Sequence, residues 1–289
     1  MLYLPKNYYL YIWKMFGNMK GSTTYLMPRV VLGVFAVALF VVQWLVGEFP
    51  VWLFEMPMNL LVGLLWLVLL WEGYRHREKS SLIRYMLSAE ATYLALAVSA
   101  LIAAVLGLQA EPSTTSWPVV GGGVFVLSVL TLVILRGWRN DKGIRWRFLT
   151  MHCGLWLALM SMLLGAADKQ LLRVQVGEAP LREAINERGV KSYLDYELRL
   201  DKFEIEKSQD GTPKQFKASV AIDEKVVDIE VNSPYSQSYG EDIYLVSYAA
   251  DGCVLQIVRE PWRVVTTLGI ALLLLGALML FMQGIGGRR

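Results

Sequence analysis

Val254-Leu255-Gln256-Ile257-Val258 fits a β-strand, Arg259-Glu260-Pro261-Trp262 interrupts it, and residues 264–282 that follow are an apolar run. Strand chemistry and a stretch long enough to cross a bilayer core, which takes about 20 apolar residues in a helix, therefore meet within a few positions. That junction predicts a chain of two environments, one helical and in lipid, the other β-rich and in water.

Reading outward from the junction, similar apolar runs lie near 30–47, 52–71, 83–108, 119–135 and 148–166. With 264–282 they predict a polytopic α-helical membrane protein of about six spans. The second is the least regular, since Glu55 and Pro57 sit at its start. The fourth opens on Gly121-Gly122-Gly123, which lowers helix propensity and suits close packing between spans. A hydrophobic content of 55% in 289 residues, with ten tryptophans, agrees with membrane residence. Residues Met1 to Lys20 mix lysines with aromatics, so no cleavable signal peptide is expected.

Lysine and arginine in short loops mark the cytoplasmic side. Lys6, Lys14, Lys20 and Arg29 precede the first run; Arg75, Arg77, Lys79 and Arg84 lie between the second and third; Arg136, Arg139, Lys142, Arg145 and Arg147 lie between the fourth and fifth. The alternate loops, Gly47 to Pro50 and Gln109 to Pro118, contain neither residue type, and Arg288-Arg289 follow the last run. The expected arrangement is a cytoplasmic segment 1–29, a membrane domain 30–166 of about five spans, an extracytoplasmic β-rich domain 167–263, and a final span and short tail 264–289. Both termini are then cytoplasmic, in a bacterial inner membrane. The net charge of +3 is too small to point to nucleic acid.

In the polar region Tyr196, Leu198 and Leu200 alternate with charged neighbours, as do Phe216, Ala218, Val220 and Ile222. This period of two marks half-buried strands. Further strands fit Val226 to Val231, Ile243 to Tyr248 and Val254 to Val258, with turns at Gln209-Asp210-Gly211-Thr212 and Ala250-Asp251-Gly252. A small, mostly antiparallel sheet or sandwich is expected, with Ala179 to Arg188 as a short helix or irregular connection.

Chemistry-bearing residues are few. Cys153 and Cys253 form no CxxC pair, and no Walker loop, HExxH or Ser-His-Asp order is present, so a self-contained catalytic site is not expected. His76, within Arg75-His76-Arg77-Glu78-Lys79, reads as a solvated loop residue. His152 lies five residues beyond Arg147, roughly 7–8 Å into the fifth run. At that depth an imidazole hydrogen-bonds a neighbouring span, snorkels to the interface or serves as a ligand, and a neutral imidazole is an axial ligand to haem iron in many proteins. Glu90, in the third run with Ser88 and Thr92, either pairs with His152 or reaches headgroups.

Three stretches carry a resemblance. They are Val231-Asn232-Ser233-Pro234-Tyr235, Tyr239-Gly240-Glu241-Asp242-Ile243-Tyr244, and Leu255-Gln256-Ile257-Val258-Arg259-Glu260-Pro261-Trp262 running into the last span. Together they resemble the ResB family of cytochrome c biogenesis proteins. Phe148-Leu149-Thr150-Met151-His152-Cys153-Gly154-Leu155-Trp156, ending in Gly165-Ala166-Ala167-Asp168, is similar to the family span that carries a histidine just before the domain. The resemblance covers residues 148–282 and implies an extracytoplasmic β domain. It also implies haem as cofactor with His152 as its metal ligand, and work alongside a tryptophan-rich ResC/CcsA-type membrane subunit. Together the two subunits would deliver haem and attach it to CxxCH motifs of apocytochrome c, this chain being at most half of the synthase. The competing expectation is a non-catalytic membrane scaffold or sensor whose outer β domain binds a protein partner.

Overall fold

The structure is a computed structural model that describes residues 25–109, 113–141, 143–207, 213–249 and 252–286. The expected turn at 209–212, residues 250–251 of the second turn, Lys6, Lys14, Lys20, Lys142 and the Arg288-Arg289 end lie outside the described residues. Two compact units are present. One comprises residues 1–51, 61–156 and 275–289, and the other residues 52–60 and 157–274.

The helical elements are α1 (Leu26–Val46), a 3-10 turn at Val51–Phe54, α2 (Met58–Arg75), α3 (Ser81–Met86), α4 (Ala89–Leu108), α5 (Trp117–Gly137), α6 (Trp146–Gly165) and α7 (Arg263–Gly286). Five of these, α1, α4, α5, α6 and α7, are long and apolar enough to cross a membrane. The remaining expected span, 52–71, becomes the 3-10 turn and then α2 from Met58. α2 is only 18 residues long, with Asn59 in its first turn and Glu72 and Arg75 at its end, so a span-length window there has to include all three. The expected run 83–108 is broken at Leu87-Ser88. Ser80 caps α3 by accepting from the Ile83 N–H at 3.3 Å, and Ser88 caps α4 by accepting from the Ala91 N–H at 3.3 Å.

In the first unit, α5 packs against both α1 and α4. A Cβ on Gly121 would run into Leu39 of α1, and one on Gly122 would stand 2.8 Å from the Ile102 side chain of α4. The glycine run is what lets three helices share that contact. Arg139–Asn140 (β1) and Gly143–Ile144 (β2) form a small antiparallel hairpin between α5 and α6.

In the second unit, β3 (Gln170–Val176), β4 (Leu181–Asn186), β5 (Lys191–Lys207), β6 (Pro213–Ile222), β7 (Lys225–Glu230), β8 (Tyr235–Ser238), β9 (Glu241–Ala249) and β10 (Gly252–Arg259) form one antiparallel sheet. Its order is β7-β6-β5-β4-β3-β10-β9-β8. The 17-residue β5 serves two partners: its first half pairs with β4, its second with β6, and the register shifts between Leu200 and Lys202. Such an irregularity bends a strand and increases its twist. The sheet accordingly curls, so that Tyr248 of β9 lies 5.4 Å from Phe216 of β6 and 5.8 Å from Phe203 of β5, ring centre to ring centre. Inward residues from both arms, among them Val174, Leu198, Val220, Ile229, Ile243 and Leu255, make a single buried core.

Two expectations are corrected here. Ala179 to Arg188 is not a helix or irregular connection, because Leu181–Asn186 is a strand laddered to both β3 and β5. A strand at Gln170–Val176, not expected from the sequence, pairs with β10 along its whole length. The Asn232 to Tyr244 stretch is a turn and a hairpin, β8 against β9, with Asn232 at φ +65 where β7 ends.

Candidate functional site

His152 lies on α6, held there by local chemistry. Its Nδ1 is 2.8 Å from the Phe148 carbonyl one turn earlier, and its ring stacks on Phe148 with centroids 3.9 Å apart and planes inclined by 26°. A carbonyl oxygen only accepts, so Nδ1 carries a proton in this contact, and in the neutral form of the ring the lone pair is then on Nε2. Phe148 is itself fixed. It fills the space above Gly137 of α5, where a Cβ would collide with its ring, and the Arg145 guanidinium lies 4.7 Å from its centroid. One turn beyond His152, Trp156 donates its indole N–H to Thr131 Oγ1 of α5 at 2.8 Å. Phe148, His152 and Trp156 thus form an i, i+4, i+8 ridge whose two ends are anchored to α5, with the half-buried imidazole between them.

Among the described residues no three His, Cys, Asp or Glu side chains gather as a metal cluster. Haem does not require one, since its macrocycle supplies four nitrogen ligands and the protein only axial donors. The proton-bearing Nδ1 bonded to a backbone carbonyl is the outer-sphere arrangement that fixes the tautomer of a metal-ligating histidine. The donor chemistry at His152 therefore fits the group. Glu90 does not meet His152; its carboxylate takes a 2.7 Å ion pair from Arg29. His76 sits in solvent beside Glu72, 2.8 Å from its carboxylate.

The second unit contains a polar junction that sequence reasoning missed. Asp168, three residues past α6, accepts from the Met56 N–H at 2.7 Å, the Asn59 amide at 2.6 Å and the Trp262 indole at 2.5 Å. Asn59, fully buried, also donates to the Leu164 carbonyl at 3.0 Å. Trp262 covers Gly165, where a Cβ would stand 2.6 Å from the indole. One carboxylate thereby joins the start of α2, the end of α6 and the start of α7. Its partners are about a hundred positions away in the chain, a separation that leaves no motif to read.

Beside it lies a charged layer built from the Tyr239-Gly240-Glu241-Asp242 and Arg259-Glu260 stretches. Glu241 accepts from Arg259 Nε at 2.7 Å and from the Tyr196 hydroxyl. Asp242 accepts from Arg263 at 2.7 Å and Ser236 at 2.6 Å, and Glu260 pairs with Lys169 at 2.8 Å and Arg263 at 3.0 Å. The Arg263 guanidinium holds the Asp242 carboxyl below its ordinary value, and Lys169 does the same for Glu260. Tyr239, in the β8–β9 turn, donates to Thr267 of α7 at 2.5 Å, which ties that hairpin to the helix. Cys253 is fully buried in β10, and desolvation pushes its thiol up to about 11, so it is a packing residue rather than a thiol-exchange group.

No curated protein matches the chain. Residues 142–257, which take in the His152 ridge and the sheet as far as Ile257, match the model of the ResB-like family, the family that the three sequence stretches resemble.

Proposed function

We propose that this chain is the ResB-type subunit of a cytochrome c maturation complex. In this reading it holds haem or passes it outward together with a tryptophan-rich ResC/CcsA-type membrane subunit that completes attachment to apocytochrome c. The observation that supports it is a coincidence. The segment matching the family contains the chain's one histidine set inside an apolar helix, and that histidine has its Nδ1 proton committed to Phe148 O. Its Nε2 would then be the nitrogen that holds the haem iron. Haem, when bound, supplies the iron and the macrocycle destined for the client's cysteines.

The residues of the chain then have separate tasks. Phe148 O and the Phe148 ring keep the imidazole in one tautomer and one orientation. Trp156, bonded to Thr131, fixes the helix face beyond it. The charged layer and Asp168 hold the β domain on the ends of α6 and α7.

In this reading the domain lies outside an inner membrane with residues 139–147 in the cytoplasm, and the distribution of Lys and Arg supports it. In the same reading α2 crosses as a sixth span, its one buried polar side chain, Asn59, satisfied by Asp168 and Leu164 O. Both termini are then cytoplasmic.

His152→Gly tests the function. Membranes with equal amounts of protein should lose the histidine-type Soret band and most c-type cytochrome, and added imidazole should restore part of both by filling the vacated site. Full haem content and full cytochrome c assembly in the variant refute the assignment.

A further inference from the structure

The first unit contains a cavity of about 720 Å³ between α1, α4 and α5 that the reading above does not use. Its walls are apolar, with Leu32, Phe35, Ala36, Val98, Ile102 and Phe125 among them, and its ends are polar. Arg29 and Tyr85 stand at one end, Gln43 and Glu48 at the other. Arg29 and Gln43 are 14 positions apart on α1, so the cavity is about 21 Å long at 1.5 Å per residue. A volume of 720 Å³ over that length leaves a mean section of about 34 Å². The space is long and one chain wide.

Two physical arguments choose among hydrophobic ligands of that shape. The first is length. The hydrocarbon core is about 30 Å thick, so an acyl chain from either leaflet fills about 15 Å before the midplane. A cavity of about 21 Å runs past that midplane, which a polyprenyl tail crosses and an acyl chain from one leaflet follows only when fully extended. The second is charge. At the Arg29 end the guanidinium is already paired with Glu90 at 2.7 Å, so a phosphate head would meet a site close to neutral and bring its own desolvation cost. A guanidinium has five N–H groups, more than one carboxylate occupies, and Tyr85 adds a hydroxyl that is buried at 4% exposure. Donors without net charge suit an uncharged head bearing carbonyl acceptors.

We propose that the α1–α4–α5 cavity is a binding site for an isoprenoid-tailed quinone. Its head carbonyls accept from Arg29 and Tyr85, and its tail lies along Leu32, Ala36 and Leu39 toward Gln43. The site stands on the first unit alone and is independent of haem at His152. The proposal concerns binding and assigns no redox step.

The test uses the full chain purified from bacterial membranes in mild detergent. Organic extracts are separated by chromatography, quinone is read from its oxidised-minus-reduced ultraviolet difference, and phospholipid from total phosphorus. Gly33 lines the cavity with no heavy atom within 4 Å of where its Cβ would be, so Gly33→Leu fills the space without a clash. Ala36→Phe is a second filling variant from another turn of α1.

Wild-type protein is expected to carry close to one quinone per chain. Each filling variant should carry at least about tenfold less at an unchanged thermal midpoint, a change of about 1.4 kcal/mol in binding. Tyr85→Phe should retain less than wild type and more than Gly33→Leu. The Soret band of all three should equal that of wild type, which separates this proposal from the haem reading. Quinone at equal levels in wild type and both filling variants overturns the site, and phospholipid lost in step with filling, without quinone, overturns the ligand.

Discussion

Asp168→Ala strips the acceptor from three N–H donors at once, and its cost follows from how enclosed each donor is. Leaving a buried donor unmade costs about 1–3 kcal/mol. Asn59 is fully enclosed but keeps Leu164 O at 3.0 Å, so it contributes near the middle of that range. The Met56 N–H and Trp262 indole are less enclosed and reach water more readily, which puts each near the lower bound. The sum is about 4 kcal/mol. At about 2–4 °C per kcal/mol for a chain of this size, the thermal midpoint should fall by about 8–16 °C.

The midpoint of purified protein in detergent, followed by circular dichroism, reads this directly. Asp168→Asn should behave almost as badly, since its amide would point a donor at donors. Trp262→Phe removes one of the three bonds while keeping most of the ring over Gly165, and should cost about a quarter as much. Glu78→Ala is the control, because that side chain is 83% exposed and its ion pair with Arg77 spans 3.8 Å. An Asp168→Ala midpoint within about 2 °C of wild type would show that these short bonds carry no stability, and the junction would be geometry alone.

Other outcomes follow from the same contacts. Alkaline phosphatase fused after Asp210 should be active and a fusion after Lys142 inactive. Only α6 lies between those two positions, so this contrast does not depend on whether α2 crosses; equal activity at both positions sinks the orientation. Fusions after Glu48 and after Lys79 flank α2 and should differ in the same way, and equal activities would reduce the spans to five. Asp242 and Glu260 have folded-state carboxyls held below their ordinary values of 3.8 and 4.5. Their contribution is therefore complete above about pH 5 and is lost as pH falls through the depressed values. Midpoints measured from pH 7 to 3 should drop steeply below pH 4, and less steeply in Asp242→Asn; identical curves refute the linkage. Cys253 should resist alkylation at neutral pH in the folded protein and react once it is unfolded, as mass spectrometry of the modified chain would record.

What could be read in the sequence was whatever burial writes into a local period. Leu198 and Val220 were expected on the alternating apolar faces of strands and lie at 0% exposure, as do Ile243 and Leu255 within two other expected strands. The apolar runs were equally legible, because a membrane helix must be hydrophobic all round. Leu172, Val174 and Val176 carry the same alternation in β3, at 1%, 2% and 0% exposure, yet only four residues separate the strand from the end of α6. An apolar helix running so soon into an apolar strand hides the change of period. For β4 the failure was of another kind. Only Ala184 is buried there, and Arg182, Glu183 and Glu187 give the segment the charge spacing of a solvated helix, so what holds it extended is hydrogen bonding to β3 and β5.

The two candidate centres differ in the same way. The Nδ1 bond of His152 is to a carbonyl four positions earlier, a contact any α-helix offers, so the sequence already contained both the depth of the imidazole and its anchor. Asp168 is read in the sequence only as the last residue of a family-like stretch. Its meaning depends on a backbone amide 112 positions before it and an indole 94 positions after it. A carboxylate at the end of a membrane helix has two stable fates, solvation in the headgroups or capture by several N–H donors, and composition does not distinguish them. The fold does, by bringing the start of α2 and the start of α7 to the same carboxylate. If the β domain has to stay fixed on its spans while a client chain is presented to it, this is the contact that fixes it, and Asp168→Ala should impair cytochrome c assembly even where the Soret band at His152 is unchanged. Loss of the Soret band and of assembly in equal proportion would instead mean that Asp168 acts on the stability of the whole chain.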